Sequence, residues 1–228
     1  MRIISVILLF SFTAVSPLSD LFYPHGKGKG DTLNVQDDIR SPAVTLQSPF
    51  SFFGHTYSQI YVYKDGLLKL SQKQFVSGGD IFFNPSLTCL DNSKGGVISY
   101  NQYSEGSVLS RATQDINQYF PEVTFAASWV FVVTWDGVPY CGHPGKASFQ
   151  VVFISRGTLS FMLINYSPTN PTNQYVKAGY NTTKHSFQIL MSASSISNLI
   201  KTSNVNVPGR WAFWVNQGSI TPLPAVDA

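Results

Sequence analysis

Residues 125–142 read FAASWVFVVTWDGVPYCG, and the alternation in this stretch decides the fold. Taking every second residue puts Phe125, Ala127, Trp129, Phe131, Val133 and Trp135 on one face. Ala126, Ser128, Val130, Val132, Thr134 and Asp136 fall on the other. One face is aromatic and the other small and β-branched. A strand with apolar residues on both faces belongs in the middle of a sheet, where other elements cover both sides. The β-branched and aromatic content favours a strand over a buried helix, and Asp136-Gly137, followed by Pro139, predicts a turn that ends it.

Downstream, ASFQVVFI (147–154) and LSFMLINY (159–166) flank SRGT and predict a hairpin. VKAGY and SFQILM supply short strands, SISNLI a helical turn, and WAFWV (211–215) a final strand. Upstream, PFSFFG (49–54) precedes IYVYKDGLLKL (60–70), in which apolar Ile60, Val62, Leu68 and Leu70 flank Lys64-Asp65-Gly66, a hairpin signature. GGVISYNQY (95–103) reads as another strand. From Ser107 to Phe120 the period changes: Val108, Leu109, Ala112, Ile116, Tyr119 and Phe120 share one helical face, with Arg111, Gln114, Asp115 and Gln118 opposite. Pro121 stops that helix. One helix with about ten short strands predicts a mainly β fold: a two-layer antiparallel β-sandwich with one amphipathic helix and a short helical turn.

The chain begins Met1-Arg2 and continues IISVILLFSFTAV, the pattern of a secretory signal peptide and too short to span a bilayer comfortably. Cleavage is expected between Ser16 and Asp20, giving a signal peptide at 1–19, one domain at 20–218 and a flexible tail at 219–228. Residues 1–19 hold Arg2 and no acid, so 15 basic and 12 acidic residues become 14 and 12, a balance of +2. So small an excess argues against nucleic acid as a partner. No second apolar stretch approaches a membrane span. LFYPHGKGKGD (21–31) is glycine- and lysine-rich but lacks the Gly-Lys-Ser/Thr ending of a phosphate-binding loop. It reads as a flexible lead-in, with Asp31, Asp37 and Asp38 as solvated loop carboxylates; a calcium site built from those three is the minor alternative.

Signals for catalysis are sparse. His25, His55, His143 and His185 fall in loops with no metal-ligand spacing among them. The pair Cys141 and His143 could be two metal ligands, but an exported chain with two cysteines points instead to a disulfide between Cys89 and Cys141. No Gly-x-Ser-x-Gly elbow is present. Asp136 with Glu122 or Glu105 could supply the paired carboxylates of a glycosidase, although Asp136 in an Asp-Gly step is more often a turn former. Tyr140, Tyr166 and Tyr175 are candidates for stacking on a sugar or a protein partner, with core packing as the alternative. Two sequons occur, Asn165-Tyr-Ser167 and Asn181-Thr-Thr183. Asn181, in a polar turn, is the expected glycosylation site, whereas Asn165 closes an apolar strand.

Taken in order, PFSFFG, IYVYKDGLLKL, FAASWVFVVTWDGV, SFQVVF with LSFMLINY, KAGYN and SNVNVPGRW resemble the NIDO domain, an extracellular module of matrix and cell-surface proteins. The resemblance runs from about Leu21 to Val215 and departs from the family pattern at IFFNPSLTCLDNSKGG (81–96). It implies a secreted, non-enzymatic interaction module in cell–matrix adhesion, using no cofactor or metal. Its partner would be an extracellular-matrix or cell-surface protein, with self-association or a polymeric partner making up for weak single-site binding. The alternative is a carbohydrate-binding or carbohydrate-active β-sandwich.

Overall fold

The computed structural model of the protein describes residues 21–26, 28–32, 39–71, 81–167, 177–181, 186–188 and 198–216. The expected signal peptide, the C-terminal tail, Asp37, Asp38, Tyr175 and His185 lie outside the described residues. Twelve strands are described: β1 (Asp31–Thr32), β2 (Val44–Phe52), β3 (His55–Val62), β4 (Leu68–Ser71), β5 (Ile81–Leu87), β6 (Val97–Tyr103), β7 (Trp129–Pro139), β8 (Lys146–Arg156), β9 (Leu159–Tyr166), β10 (Lys177–Asn181), β11 (Ser186–Gln188) and β12 (Arg210–Trp214). The helix α1 spans Ser107–Tyr119, close to its sequence-based limits. The strands form two antiparallel sheets, ordered β1-β6-β7-β8-β9-β12 and β11-β10-β5-β4-β3-β2. In each, five main strands are extended by one edge strand of two or three residues.

Strand β7 sits inside the first sheet, between β6 and β8, and both of its faces are covered as its sequence requires. Trp129, Phe131, Val133 and Trp135 point into the core between the sheets, meeting Phe50, Phe52, Leu68 and Phe83 of the second. Edge-to-face contacts of Phe153 with Phe50 at 4.9 Å and with Phe83 at 5.5 Å tie the layers, and Trp135 stacks on Phe149 at 4.7 Å. Val130 and Val132, on the opposite face, pack with Val152, Ile154 and Leu163 beneath Val108, Ala112 and Ile116 of α1.

The layers are also pinned by polar contacts. The Trp135 indole N–H donates to the carbonyls of Tyr63 and Lys64 at 3.2 and 3.1 Å, holding the β3–β4 turn against the first sheet. That turn needs Gly66: its φ is +79°, and a Cβ there would lie 2.5 Å from the Ser86 carbonyl oxygen. Cys89 and Cys141 form a disulfide with Cα atoms 5.4 Å apart, joining the loop after β5 to the loop after β7. Beside it Asp91 accepts from the Ser93 amide, and the Ser93 hydroxyl and amide with the Lys94 ammonium hold its carboxyl down at about 2.

Three expectations are corrected. Phe125 and Ala127 precede β7 rather than extend it, and Phe125 joins the helix-side cluster, packing edge-on to Phe161 at 4.9 Å. Asp136-Gly137 does not end the strand. Gly137, with φ +60°, makes a bulge between Trp135 and Val138, and β7 continues to Pro139. The segment from Leu21 is not a loose lead-in: Leu21 and Tyr23 are buried, and β1 pairs with Ser99 and Tyr100 of β6. The segment that departs from the family pattern carries β5, an interior strand of the second sheet between β10 and β4. The predicted helical turn near 195–200 is described only from Asn198, whose carbonyl accepts from the amides of Lys201 and Thr202 at 3.1 and 3.0 Å.

Candidate functional site

The densest chemistry lies under α1, where the chain buries a charged and amide-rich cluster against the outer face of the first sheet. Arg210 opens β12 and is 3% exposed. Its Nη1 donates to the Asp115 carboxylate at 3.0 Å and to the Tyr119 hydroxyl at 2.9 Å, its Nε to Asn165 at 2.8 Å, and its Nη2 to the Leu21 carbonyl at 2.6 Å. Arg111 lies with its guanidinium carbon 4.2 Å from the centre of the Tyr23 ring and donates to the carbonyls of Leu21 and Phe22. Gln150 acts as a surrogate strand for the segment, its Oε1 accepting from the Tyr23 amide at 2.7 Å and its Nε2 donating to the Tyr23 carbonyl at 3.0 Å. The Tyr23 hydroxyl donates to Asp115 at 2.7 Å.

This cluster binds the chain to itself. Its carboxylate and both guanidiniums are committed to partners among the described residues. Periodicity alone placed Arg111 and Asp115 on the solvent side of α1; the N-terminal segment lies there and takes them instead. The available signal was the pair Arg111 and Asp115 at helical spacing beside the buried Tyr119.

Burial determines the acid–base behaviour here. Tyr23 is raised well above the ordinary tyrosine value by desolvation, reinforced by the Asp115 charge; Tyr119 is raised by burial against the lowering effect of Arg210; Tyr166 is raised by complete burial. Groups raised in the folded state leave stability intact below the unfolded value of about 10 and remove it as pH climbs toward their folded values. Unfolding free energy should therefore hold steady to about pH 10, then fall by up to about 1.4 kcal/mol per pH unit for each such tyrosine. Denaturant midpoints measured from pH 8 upward check this, with Tyr166→Phe expected to shallow the slope and an unchanged slope contradicting the assignment.

The candidate catalytic residues do not assemble. Asp136 pairs with Val97 at one end of β6–β7, while Tyr103, two residues before Glu105, pairs with Val130 at the other. Six residue steps along a strand are about 20 Å, against about 5–9.5 Å for glycosidase carboxylates. Glu122 belongs to the far end too, lying between Phe120 and Phe125, both packed on Phe161, which pairs with Ile154 opposite Val130. Around Asp136 the order of groups is also wrong for nucleophile activation. His25 Nε2 lies 3.7 Å from one carboxylate oxygen and the Ser148 hydroxyl 3.5 Å from the other, so the acid separates the serine from the imidazole instead of the imidazole bridging them. His25 Nδ1 lies 2.9 Å from the Tyr23 carbonyl, placing this histidine within the N-terminal segment's hydrogen bonds.

The remaining candidates resolve individually. His55 opens β3 and His143 is exposed on the loop after the disulfide. Tyr140 and Tyr166, considered for stacking, are core residues, and the Tyr166 hydroxyl donates to the Pro85 carbonyl at 2.6 Å. Asp31 lies in β1, and among the described residues no group of three His, Cys, Asp or Glu side chains could hold a metal ion. Asn165 is fully buried, with its Nδ2 donating to Gln150 and its Oδ1 accepting from Arg210.

Two sheet edges are closed by carboxamides. Asn204 takes the place of a strand beside β12, accepting from the Ala212 amide at 2.9 Å and donating to its carbonyl at 2.7 Å. Gln102 does the same for β2 at the Gln47 amide and the Thr45 carbonyl. Backbone groups occupied in this way are not offered to another chain.

A family model described as "Nidogen-like domain" matches residues 58–217, from within β3 to beyond β12. Alpha-tectorin of Homo sapiens is 34% identical over 232 residues, covering 89% of this chain and 11% of its own length. Nidogen-1 of Mus musculus is 27% identical over 229 residues, covering 84% and 18% respectively. Dendrite extension defective protein 1 of Caenorhabditis elegans is 28% identical over 195 residues, covering 78% and 17%. The chain thus spans between about a tenth and a fifth of the length of these curated relatives. No solved structure gives a significant match.

Proposed function

The chain belongs to the nidogen-like (NIDO) domain family, and on that premise we propose that it is a non-enzymatic interaction module serving cell–matrix adhesion. It is a secreted protein of the extracellular space or matrix, a setting in which a disulfide such as Cys89–Cys141 persists. The observation that carries the proposal is relatedness over the whole sandwich: similarity to alpha-tectorin covers 89% of the chain. The separation of Asp136 from Glu105 and Glu122, and the position of Asp136 between Ser148 and His25, support a role without chemistry.

The partner is an extracellular-matrix or cell-surface protein. With β2 and β12 capped by Gln102 and Asn204, docking uses loops or a sheet face rather than strand addition at those edges.

Pull-down with the mature protein from extracellular-matrix extracts, with a glycan array in parallel, tests the proposal. Saturable capture of a matrix or cell-surface protein that survives chelator is the expected result. Capture of defined glycans with no protein partner would overturn it in favour of a carbohydrate-binding sandwich.

A further inference from the structure

Two Asp-Gly steps occur in the chain, Asp65-Gly66 and Asp136-Gly137, and the structure gives them opposite surroundings. Asp65-Gly66 is fixed in the turn before β4. The Gly66 amide donates to the Tyr63 carbonyl at 3.3 Å, and the Asp65 carboxylate accepts from the Leu90 amide at 3.4 Å. A Cβ on Gly66 would lie 2.5 Å from the Ser86 carbonyl oxygen and 2.9 Å from the Phe149 ring, so the main chain there has no room to shift.

Asp136-Gly137 sits on the bulge of β7. The register passes from Trp135–Phe149 to Val138–Ala147, which leaves Ser148 alone opposite both residues. The Gly137 amide leaves the ladder and donates to the Ser148 hydroxyl oxygen at 2.9 Å, and that hydroxyl lies 3.5 Å from Asp136 Oδ1. The Asp136 side chain is 51% exposed, and the nearest atom to a Cβ built on Gly137 is Lys146 Cδ at 3.9 Å. This step therefore has both water and space. It also joins a nucleophile, its target and a proton carrier: the Gly137 nitrogen can close a five-membered ring on the Asp136 carboxyl carbon, and one hydroxyl contacts both the proton that nitrogen must lose and the oxygen that must leave.

We propose that Asp136-Gly137 is a self-modification site at which the backbone isomerises to an isoaspartyl linkage, with Ser148 as the proton carrier. The Gly137 nitrogen bonds to Asp136 Cγ. Its proton passes to Ser148 Oγ, whose own proton goes to Oδ1. A second proton comes from solvent, the bond from Cγ to Oδ1 breaks, and water leaves. Water then opens the resulting succinimide at either carbonyl. Attack at one restores aspartate, and attack at the other routes the main chain through Cγ, so no oxidant or reductant is consumed. The rerouted chain gains one carbon between Trp135 and Val138, both fully buried, and the isomerised form should have a lower denaturation midpoint.

The test incubates the mature secreted protein at neutral pH and body temperature for weeks, then locates isoaspartate by peptide mapping with fragmentation that separates the two isomers. Isoaspartate is expected to accumulate at residue 136 well ahead of residue 65. Ser148→Ala should lower the rate at 136 several-fold, and Ser148→Thr, which keeps the hydroxyl, should restore it. Denaturant midpoints taken at the start establish that each variant is folded. No isoaspartate at 136, accumulation at 65 that matches it, or a Ser148→Ala rate equal to or above the native one would each overturn the proposal. The readout is independent of any binding partner.

Discussion

Replacing Arg210 with methionine is expected to cost about 3–5 kcal/mol of stability, the range for breaking a buried ion pair from one side. The guanidinium is 3% exposed and bonds to Asp115, Tyr119, Asn165 and the Leu21 carbonyl, so its removal strands acceptors from α1, β9 and the N-terminal segment together. Asp115 keeps a second cation, Arg111 Nε at 3.8 Å, and the Tyr23 hydroxyl, which keeps the loss within that range. Lysine cannot rescue the position, because three donors on a single nitrogen do not reproduce a planar fork aimed at four acceptors. Chemical denaturation of Arg210→Met, Asp115→Asn and the double variant measures both the loss and the coupling. A single-variant loss under about 1 kcal/mol would mean the cluster is incidental to the fold.

The second large effect is expected from the disulfide. Cys89 and Cys141 are 52 residues apart in sequence, and the chain-entropy model assigns a loop of that size about 4 kcal/mol. The bridge joins loops that already interact: the Cys141 amide donates to the Cys89 carbonyl at 3.1 Å and the Asp91 amide to the Pro139 carbonyl at 2.8 Å. Those contacts should hold the fold of a Cys89→Ser/Cys141→Ser variant together while its denaturation midpoint drops sharply. An unchanged midpoint, or two titratable thiols in the unreduced secreted protein, would contradict the assignment.

Much of the architecture was legible because it follows local periodicity. The two faces of β7 announced a central strand, the 3.6-residue spacing of Val108, Ala112, Ile116 and Tyr119 announced α1, and Asp65-Gly66 announced the turn that Trp135 secures. What escaped was long-range and polar. Nothing near Leu21 in sequence reveals that Arg210, 189 residues away, will take its carbonyl, or that Gln150 will pair with Tyr23 like a neighbouring strand. A local Gly-Lys-rich composition reads as looseness because the partners that immobilise the segment come from distant elements, among them α1, β6, β8 and β12. Asp136-Gly137 is ambiguous in sequence for a related reason. The same dipeptide serves a turn or a bulge, and the register of β8 decides between them.

The separation of the carboxylates was beyond the sequence as well, since the distance from Asp136 to Glu105 depends on the β6–β7 register. That register makes the central claim, binding without chemistry, directly testable. Native protein and an Asp136→Asn variant should be titrated onto immobilised matrix extract, with and without chelator, while polysaccharide and peptide substrates are monitored for products. The account predicts superimposable saturable isotherms and no product from either protein. Product formed by the native protein and abolished in Asp136→Asn would contradict it.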